Sequence, residues 1–441
     1  MNIYNWLFRK KKEIEILTTS EVFKTLGVPK YTFIEREILE EQLNDVLNSK
    51  DKALLFLGYS KSGKTVYRQK FLENNGYNVV TFRCNNSSKI NDLYDYIASQ
   101  LKLGQLKSTS GNSGSKQTYS TSSTLGQKDI ASISDNLIDE IYYSFIETKE
   151  HVTTKVDVNF LCSNINDKEK LIIVLEDYHL TAGSFNKILS EDLKHFQDEG
   201  ILFLLIGIPS LPNRALKNNP DLSGRLRHLN FDYLQKEEVK QIIKKGCNKL
   251  NCTFSEEVVD KIIEASLKNA FLVQSICKEI LLISGIKCTS NKKVIVTDVT
   301  IVENACKKVA SELDNDYSGL YEQVSSGARK QQENKAFNQY EEILKAIRSF
   351  DISKLEKGVS YTEISNWSWS QMPAATIQKF VDNGTYQSET TFKGALTNQI
   401  LQAVERINAN LTKNGSRQVL YVDDKKVYLT DLMFKFYLDW K

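Results

Sequence analysis

The chain has 441 residues, 41% of them hydrophobic and 26% charged, and 58 Lys and Arg against 55 Asp and Glu leave a formal charge of +3. That length accommodates two or three domains with cores of their own, and the composition excludes a fibrous or wholly disordered chain. So small a charge does not by itself argue for nucleic-acid binding, and seven dispersed cysteines without a C-x-x-C pair, beside four histidines, argue against a zinc site.

Residues 1–18 read as a tail. Trp6, Leu7 and Phe8 stand next to the cations Arg9 to Lys12. The apolar part is too short to span a bilayer or to act as a signal peptide, so a frayed or partner-bound tail is preferred to a membrane anchor. With the odd cysteine count, this fits a reducing, cytoplasmic setting.

Residues 19–234 alternate helix and strand. A helix over 37–47 leads into the apolar run 53–57, followed by Gly58-Tyr59-Ser60-Lys61-Ser62-Gly63-Lys64-Thr65, a helix over 66–73, a strand over 77–82 and a helix over 90–101. Residues 105–134 are dominated by Ser, Thr, Gly, Gln and Lys and read as a flexible insertion. An amphipathic helix over 137–148 follows. Five apolar residues in a row, 171–175, predict a strand buried on both faces, as in a parallel sheet. A helix over 184–198 and a strand over 201–206, ending at Gly207-Ile208-Pro209, complete an α/β pattern with right-handed crossovers.

Residues 235–320 read as a helical lid. A helix spans 236–249, Ser255 opens a second with Glu256 and Glu257 in its first turn, and 235–286 is expected to be all helical. A further helical run covers 297–313, and residues 321–338 read as a polar connector. Residues 339–441 follow the order helix (339–348), helix (from about 363, after Val359-Ser360-Tyr361-Thr362), long helix (393–410) and hairpin (418–429), which is that of a winged helix.

The segment Gly58 to Thr65 is G-x-x-x-x-G-K-T between a buried strand and a helix, the setting in which backbone N–H groups and a helix N-terminus cradle phosphates. Gly58, Ser60, Lys61, Ser62, Gly63 and Val66 would contribute to that cradle. Lys64 would reach the β and γ oxygens and Thr65 would ligate Mg²⁺, so a nucleoside triphosphate is the expected ligand. The strand over 171–175 ends in Glu176-Asp177. An acidic pair there lies beside the phosphates, with Glu176 serving the metal and Asp177 the attacking water. The order Glu-Asp reverses the commoner one and suits slow hydrolysis. Arg225, after Gly224, is the first candidate for an arginine inserted from a neighbouring subunit, ahead of Arg214 and Arg227.

Phosphate loop, acidic strand end, Gly-Ile-Pro turn, Asn219-Pro220-Asp221-Leu222-Ser223-Gly224-Arg225 and helical lid together resemble the bacterial AAA+/STAND-type ATPases related to origin-recognition proteins. Phe23 to Arg36 is similar to that family's segment before the first helix, and the resemblance implies that Tyr31, Phe33 and Ile34 line the base pocket. The close of the chain, Val427 to Trp440, resembles the family's C-terminal winged-helix domains. Asn269-Ala270-Phe271 departs from the Gly-x-Pro turn of relatives, and no arginine stands at that lid-helix start.

The expected fold is therefore an α/β P-loop NTPase sheet, AAA+-like, with a helical lid and a C-terminal winged-helix-like domain. The resemblance implies a slow ATPase switch using ATP and Mg²⁺ that forms a homo-oligomer on ATP binding and controls a protein effector encoded nearby, in anti-phage defence. The alternative is an origin- or transposition-type ATPase docking residues 339–441 on duplex DNA. The helix over 393–410 carries few basic residues, which favours a protein partner. No membrane span is expected.

Overall fold

The computed structural model describes residues 15–103, 155–208, 224–326, 337–412 and 419–441. The apolar-basic tail, the 105–134 insertion, the 137–148 helix, Pro209, Arg214 and most of the Asn219–Ser223 stretch's surroundings, that is residues 209–223 as a whole, lie outside the described residues. The chain divides into two compact units, Met1–Ser88 with Glu169–Lys441, and Lys89–Lys168.

Short helix α1 (Thr19–Val22) and α2 (Glu37–Ser49) precede β1 (Ala53–Leu57), and α3 (Lys64–Asn74) joins β1 to β2 (Asn78–Arg83). The second unit holds α4 (Ile90–Gln100) and α5 (Val158–Asn164), which pack on each other and bury Leu93, Ile97 and Leu161. The first unit resumes with β3 (Leu171–Glu176), α6 (Gly183–Asp198), β4 (Leu202–Gly207) and β5 (Leu226–Asn230). The five strands form one parallel sheet in the order β2-β3-β4-β1-β5. β3 and β4 are buried at every position, as their unbroken apolar runs require. Leu39, Leu43 and Leu47 of α2, with Tyr67, Phe71 and Leu72 of α3, pack with Phe56, Val174 and Leu204 of the sheet. β5 was not expected from its sequence. At the sheet edge only Leu226 and Leu229 are buried, so Leu-Arg-His-Leu-Asn shows no apolar run.

The lid comprises α7 (Lys236–Lys249), β6 (Cys252–Phe254), α8 (Glu256–Ala265), α9 (Ala270–Ile283), β7 (Val294–Val296), α10 (Thr300–Glu312) and α11 (Asp314–Ser326). The stretch expected to be all helical is interrupted by β6, which pairs in parallel with β7. Left-handed Asn251 turns the chain out of α7, and three residues are too few to show a period. Helix α11 runs to Ser326 and buries Tyr317, Leu320 and Val324, so the first part of the expected connector is helical. Leu17, Val22 and Phe23, ahead of the sheet in sequence, belong to the lid's core, and Thr19 N donates to Lys287 O at 2.9 Å.

The last part contains α12 (Gln339–Ser349), α13 (Ile352–Lys357), β8 (Val359–Ser360), α14 (Tyr361–Gln371), α15 (Ala374–Asp382), α16 (Glu389–Thr412), β9 (Leu420–Asp423), β10 (Lys426–Leu429) and α17 (Leu432–Trp440). The antiparallel sheet β8-β10-β9 behind α14 and α16 is winged-helix-like. Its core is continuous with the lid's: the Tyr317 hydroxyl donates to Asp431 Oδ2 at 2.9 Å, and that of Tyr437 to Asp314 Oδ1 at 2.6 Å. Among the described residues, no helix is long and apolar enough to cross a membrane.

Candidate functional site

Strand β1 delivers Gly58 to the C-terminal edge of the sheet, where its N–H donates to Gly207 O at the end of β4 at 3.3 Å. Only glycine fits there: a Cβ would lie 2.7 Å from Ser62 Oγ and 2.9 Å from Phe231 Cβ. Lys61 (φ +61°) and Gly63 (φ +93°) take left-handed conformations that curl the loop, and α3 begins at Lys64. Successive N–H groups in such a curl, at a helix N-terminus, form an anion-binding nest. Lys64 Nζ donates back to the carbonyls of Gly58 and Tyr59, the latter at 2.7 Å. Burial draws its pKa down to about 8, against the opposing pull of Asp232, Asp177 and Glu176.

The strand carrying Glu176 is separated from β1 by β4, yet the carboxylate reaches the loop helix. Thr65 Oγ1 donates to Glu176 Oε2 at 3.3 Å, and Arg68, one turn further along α3, pairs with Oε1 at 3.2 Å. Asp177 stands next, exposed and left-handed (φ +55°), at the head of the turn Tyr178–Leu180. A hydroxyl and a carboxylate in contact are hard oxygen donors suited to Mg²⁺, which takes its remaining ligands from water and phosphates. Among the described residues, no group of three or more His, Cys, Asp or Glu is placed to hold a metal ion.

Beside the loop lies a cavity of about 280 Å³. Lys61 to Tyr67 form one wall, Phe33, Ile34 and Phe231 another, and Phe271 and Gln274 of α9 close it from the lid. Lys61 Nζ sits 4.2 Å from the centre of the Phe271 ring, so loop and lid touch across its mouth. Asn269, where relatives of the resembled family have a glycine, caps α9 by accepting from the N–H groups of Phe271 and Leu272. That cap, a local signal in the sequence, sets Phe271 and Gln274 on the cavity side.

Of the expected residues, the structure brings together Lys61, Ser62, Gly63, Lys64, Thr65, Val66, Phe33 and Ile34 around the cavity, with Glu176 and Asp177 at the neighbouring strand end. Gly58 and Ser60 do not line the cavity. Tyr31 does not line the cavity: its ring lies between Lys30 and Lys249, 5.2 and 5.3 Å from its centre, and its hydroxyl donates to Glu15. Arg225 lies far from the loop of its own chain. It enters β5, whose Leu226 pairs with Ala53 at the opposite end of β1, and its guanidinium donates to Gln197 of α6 at 3.3 Å. Arg227 follows on β5, opposite Leu54. Residues not singled out from the sequence include Arg68, Gln274 and Asp232. Asp232 is buried just after β5 with Oδ1 unpartnered, and burial, reinforced by Glu356, pushes its pKa up to about 6.

A phosphate-binding loop on β1, with β4 inserted between it and the acidic strand β3, decides the architecture. The fold is that of an AAA+-type P-loop NTPase. The chain is structurally similar to the Walker-type ATPase paby2304 of Pyrococcus abyssi at 12% identity, over 95% of this chain and 99% of that one, with a TM-score of 0.49. It is also similar to the Thermotoga maritima RuvB Holliday junction branch migration motor (12% identity, 91% and 94% covered, TM-score 0.38) and to the Aeropyrum pernix Orc1 protein in complex with DNA (13%, 96% and 96%, 0.39). No family model and no curated protein matches the sequence. The fold assignment rests on the sheet order and loop geometry of the chain itself.

Proposed function

We propose that the chain binds ATP with Mg²⁺ between the phosphate loop and α9, hydrolyses it slowly, and uses the nucleotide state to control self-association and a protein effector. The observation that carries this reading is the convergence of Lys64, Thr65 and Glu176 at one end of an apolar cavity whose far wall belongs to the lid. Lys64 would exchange its loop carbonyls for phosphate oxygens. Thr65 and Glu176 would hold Mg²⁺, which supplies charge neutralisation on the phosphates when bound. Asp177, exposed beside them, would orient water. Slow turnover fits a β4 that ends in Leu205, Ile206 and Gly207 without a polar side chain, and a lid helix that opens on Asn-Ala-Phe without an arginine. Arg225, remote from the loop of its own chain, would serve a neighbouring subunit, and the winged-helix-like region would meet a protein effector, as the resemblance to defence-type ATPases implies.

Labelled-ATP binding and turnover test the site. Lys64→Ala is expected to weaken binding at least about tenfold. Asp177→Ala should leave binding within about threefold and lower turnover about a hundredfold, in the range of a lost general base. Turnover unchanged in both variants overturns the assignment. A chain that stays monomeric with ATP and Mg²⁺ during size-exclusion chromatography removes the role of Arg225.

The winged-helix-like arrangement favours a second reading, docking on duplex DNA. Against it, Glu389, Lys393, Glu405 and Arg406 cancel along α16, and Asp423, Asp424, Lys425 and Lys426 cancel at the hairpin. Salt-dependent DNA binding by the full chain, lost in Lys425→Glu/Lys426→Glu, would establish it.

A further inference from the structure

Gln274 lies one turn inside α9, is 5% exposed, and lines the cavity beside the phosphate loop. Half of its amide is engaged: Nε2 donates to Thr32 Oγ1 at 2.6 Å. The Thr32 hydroxyl spends its own hydrogen on Val22 O at 3.4 Å, so it meets Gln274 as an acceptor, and this fixes which end of the amide faces it. The other end, Oε1, is buried without a partner. A buried acceptor in that state is costly unless something donates to it.

The cavity's remaining surroundings say what that donor is. Phe33, Ile34, Phe231, Leu234, Ile242 and Phe271 form flat and branched apolar walls, suited to a heteroaromatic ring stacked at the end of a nucleotide whose phosphates lie on Lys61 to Val66. Arg36, the one guanidinium in the wall, is already committed to Glu238 at 3.0 Å and to Tyr233 O at 3.0 Å. Neither Arg36 nor Lys24, which also lines the cavity, donates to Gln274 Oε1, so this residue of the cavity wall keeps a buried acceptor without a donor.

We propose that Gln274 makes this site selective for adenine over guanine nucleotides, its Oε1 accepting from the exocyclic amine of adenine, with Thr32 holding the amide in that orientation. Guanine presents a carbonyl oxygen where adenine presents the amine, and two acceptors facing each other in a buried site repel. Hypoxanthine shares the carbonyl and lacks the amine of adenine, so inosine triphosphate should behave like GTP. The proposal rests on the nucleotide-binding reading given above. It assigns Gln274 a role in choosing the base and none in the chemistry.

The test is displacement of a ribose-labelled fluorescent ATP analogue by ATP, GTP and ITP, on the full chain and on the variants Gln274→Leu and Thr32→Val. Wild type should prefer ATP over both others by about tenfold or more, the range for a lost hydrogen bond to a buried acceptor. Gln274→Leu should bring the three within about threefold, chiefly by weakening ATP. Thr32→Val, which leaves Gln274 in place but releases its amide to rotate, should narrow the preference as well, and it answers the question if the first variant fails to fold. A wild type that prefers GTP, or an ATP preference unchanged in both variants, overturns the proposal. Failure of the underlying site looks different: the analogue would not bind wild type, or would bind Lys64→Ala equally well.

Discussion

Lys64 carries its charge in surroundings that oppose it. Its ammonium is turned into the loop, hydrogen-bonded to two backbone carbonyls, and burial lowers its pKa to about 8 despite three carboxylates nearby. Polyphosphate arriving in the loop favours the charged form. Above about pH 8 the free protein is partly deprotonated at Lys64 and the complex is not, so binding takes up protons; near pH 7 both states are protonated and the uptake vanishes. Calorimetric titration of ATP in buffers of different ionisation enthalpy should show uptake rising from about pH 7 to about pH 9, and Lys64→Arg, charged throughout, should abolish the rise. At this scale the sequence was most legible, because a phosphate loop is a local object: its glycines, lysine and threonine work through backbone geometry set within eight residues. Gln274 and Asp232 were not legible, since nothing local distinguishes a glutamine on a lid helix or an aspartate after an unseen strand. Their surroundings are set by Thr32, 242 positions from Gln274, and by Lys64 and Glu356 beside Asp232.

Among the elements, the contrast between glycines shows where packing overrides propensity. Gly246 in α7 faces the ring of Phe23, and a Cβ there would lie 2.2 Å from it. Gly319 in α11 has open space at the same position. Replacing an exposed helix glycine by alanine stabilises by up to about 1 kcal/mol. Gly319→Ala should do so, whereas Gly246→Ala should destabilise by about 1–3 kcal/mol as Phe23 is forced from its seat. Denaturant midpoints of the two variants would separate the effects, and equal shifts would contradict the packing described. The same logic explains which elements were readable. β3 and β4, buried on both faces, announce themselves as apolar runs; β5 at the edge and β6 with three residues do not. Helices α13 and α15, six and nine residues long, also escaped notice, being too short for a periodic stripe.

In the molecule as a whole, a chain of side-chain contacts joins the phosphate loop to the C-terminal region. Tyr59, inside the loop, is fully buried with its ring 6.0 Å from that of Tyr233, and the Tyr233 hydroxyl donates to Glu356 on α13. A nucleotide that reshaped the loop would bear on α13 through these contacts. Hydrogen exchange of residues 352–357 should change on ATP binding in wild type, and Tyr233→Phe should blunt that change while leaving ATP affinity within about threefold. Exchange indifferent to ATP in the wild type would remove this link. The buried run Leu432–Leu438 of α17 is packed in a core that the C-terminal region shares with the lid. By itself the sequence determined the phosphate loop, the acidic strand end and the parallel α/β pattern, since each is encoded in contiguous residues through backbone conformation or an apolar run. Only the tertiary structure decided that Arg225 stands away from its own loop, that Tyr31 does not line the cavity beside that loop, that Gln274 does, and that the winged-helix-like region shares the lid's core. Those facts depend on contacts between residues tens to hundreds of positions apart, and no local pattern carries them.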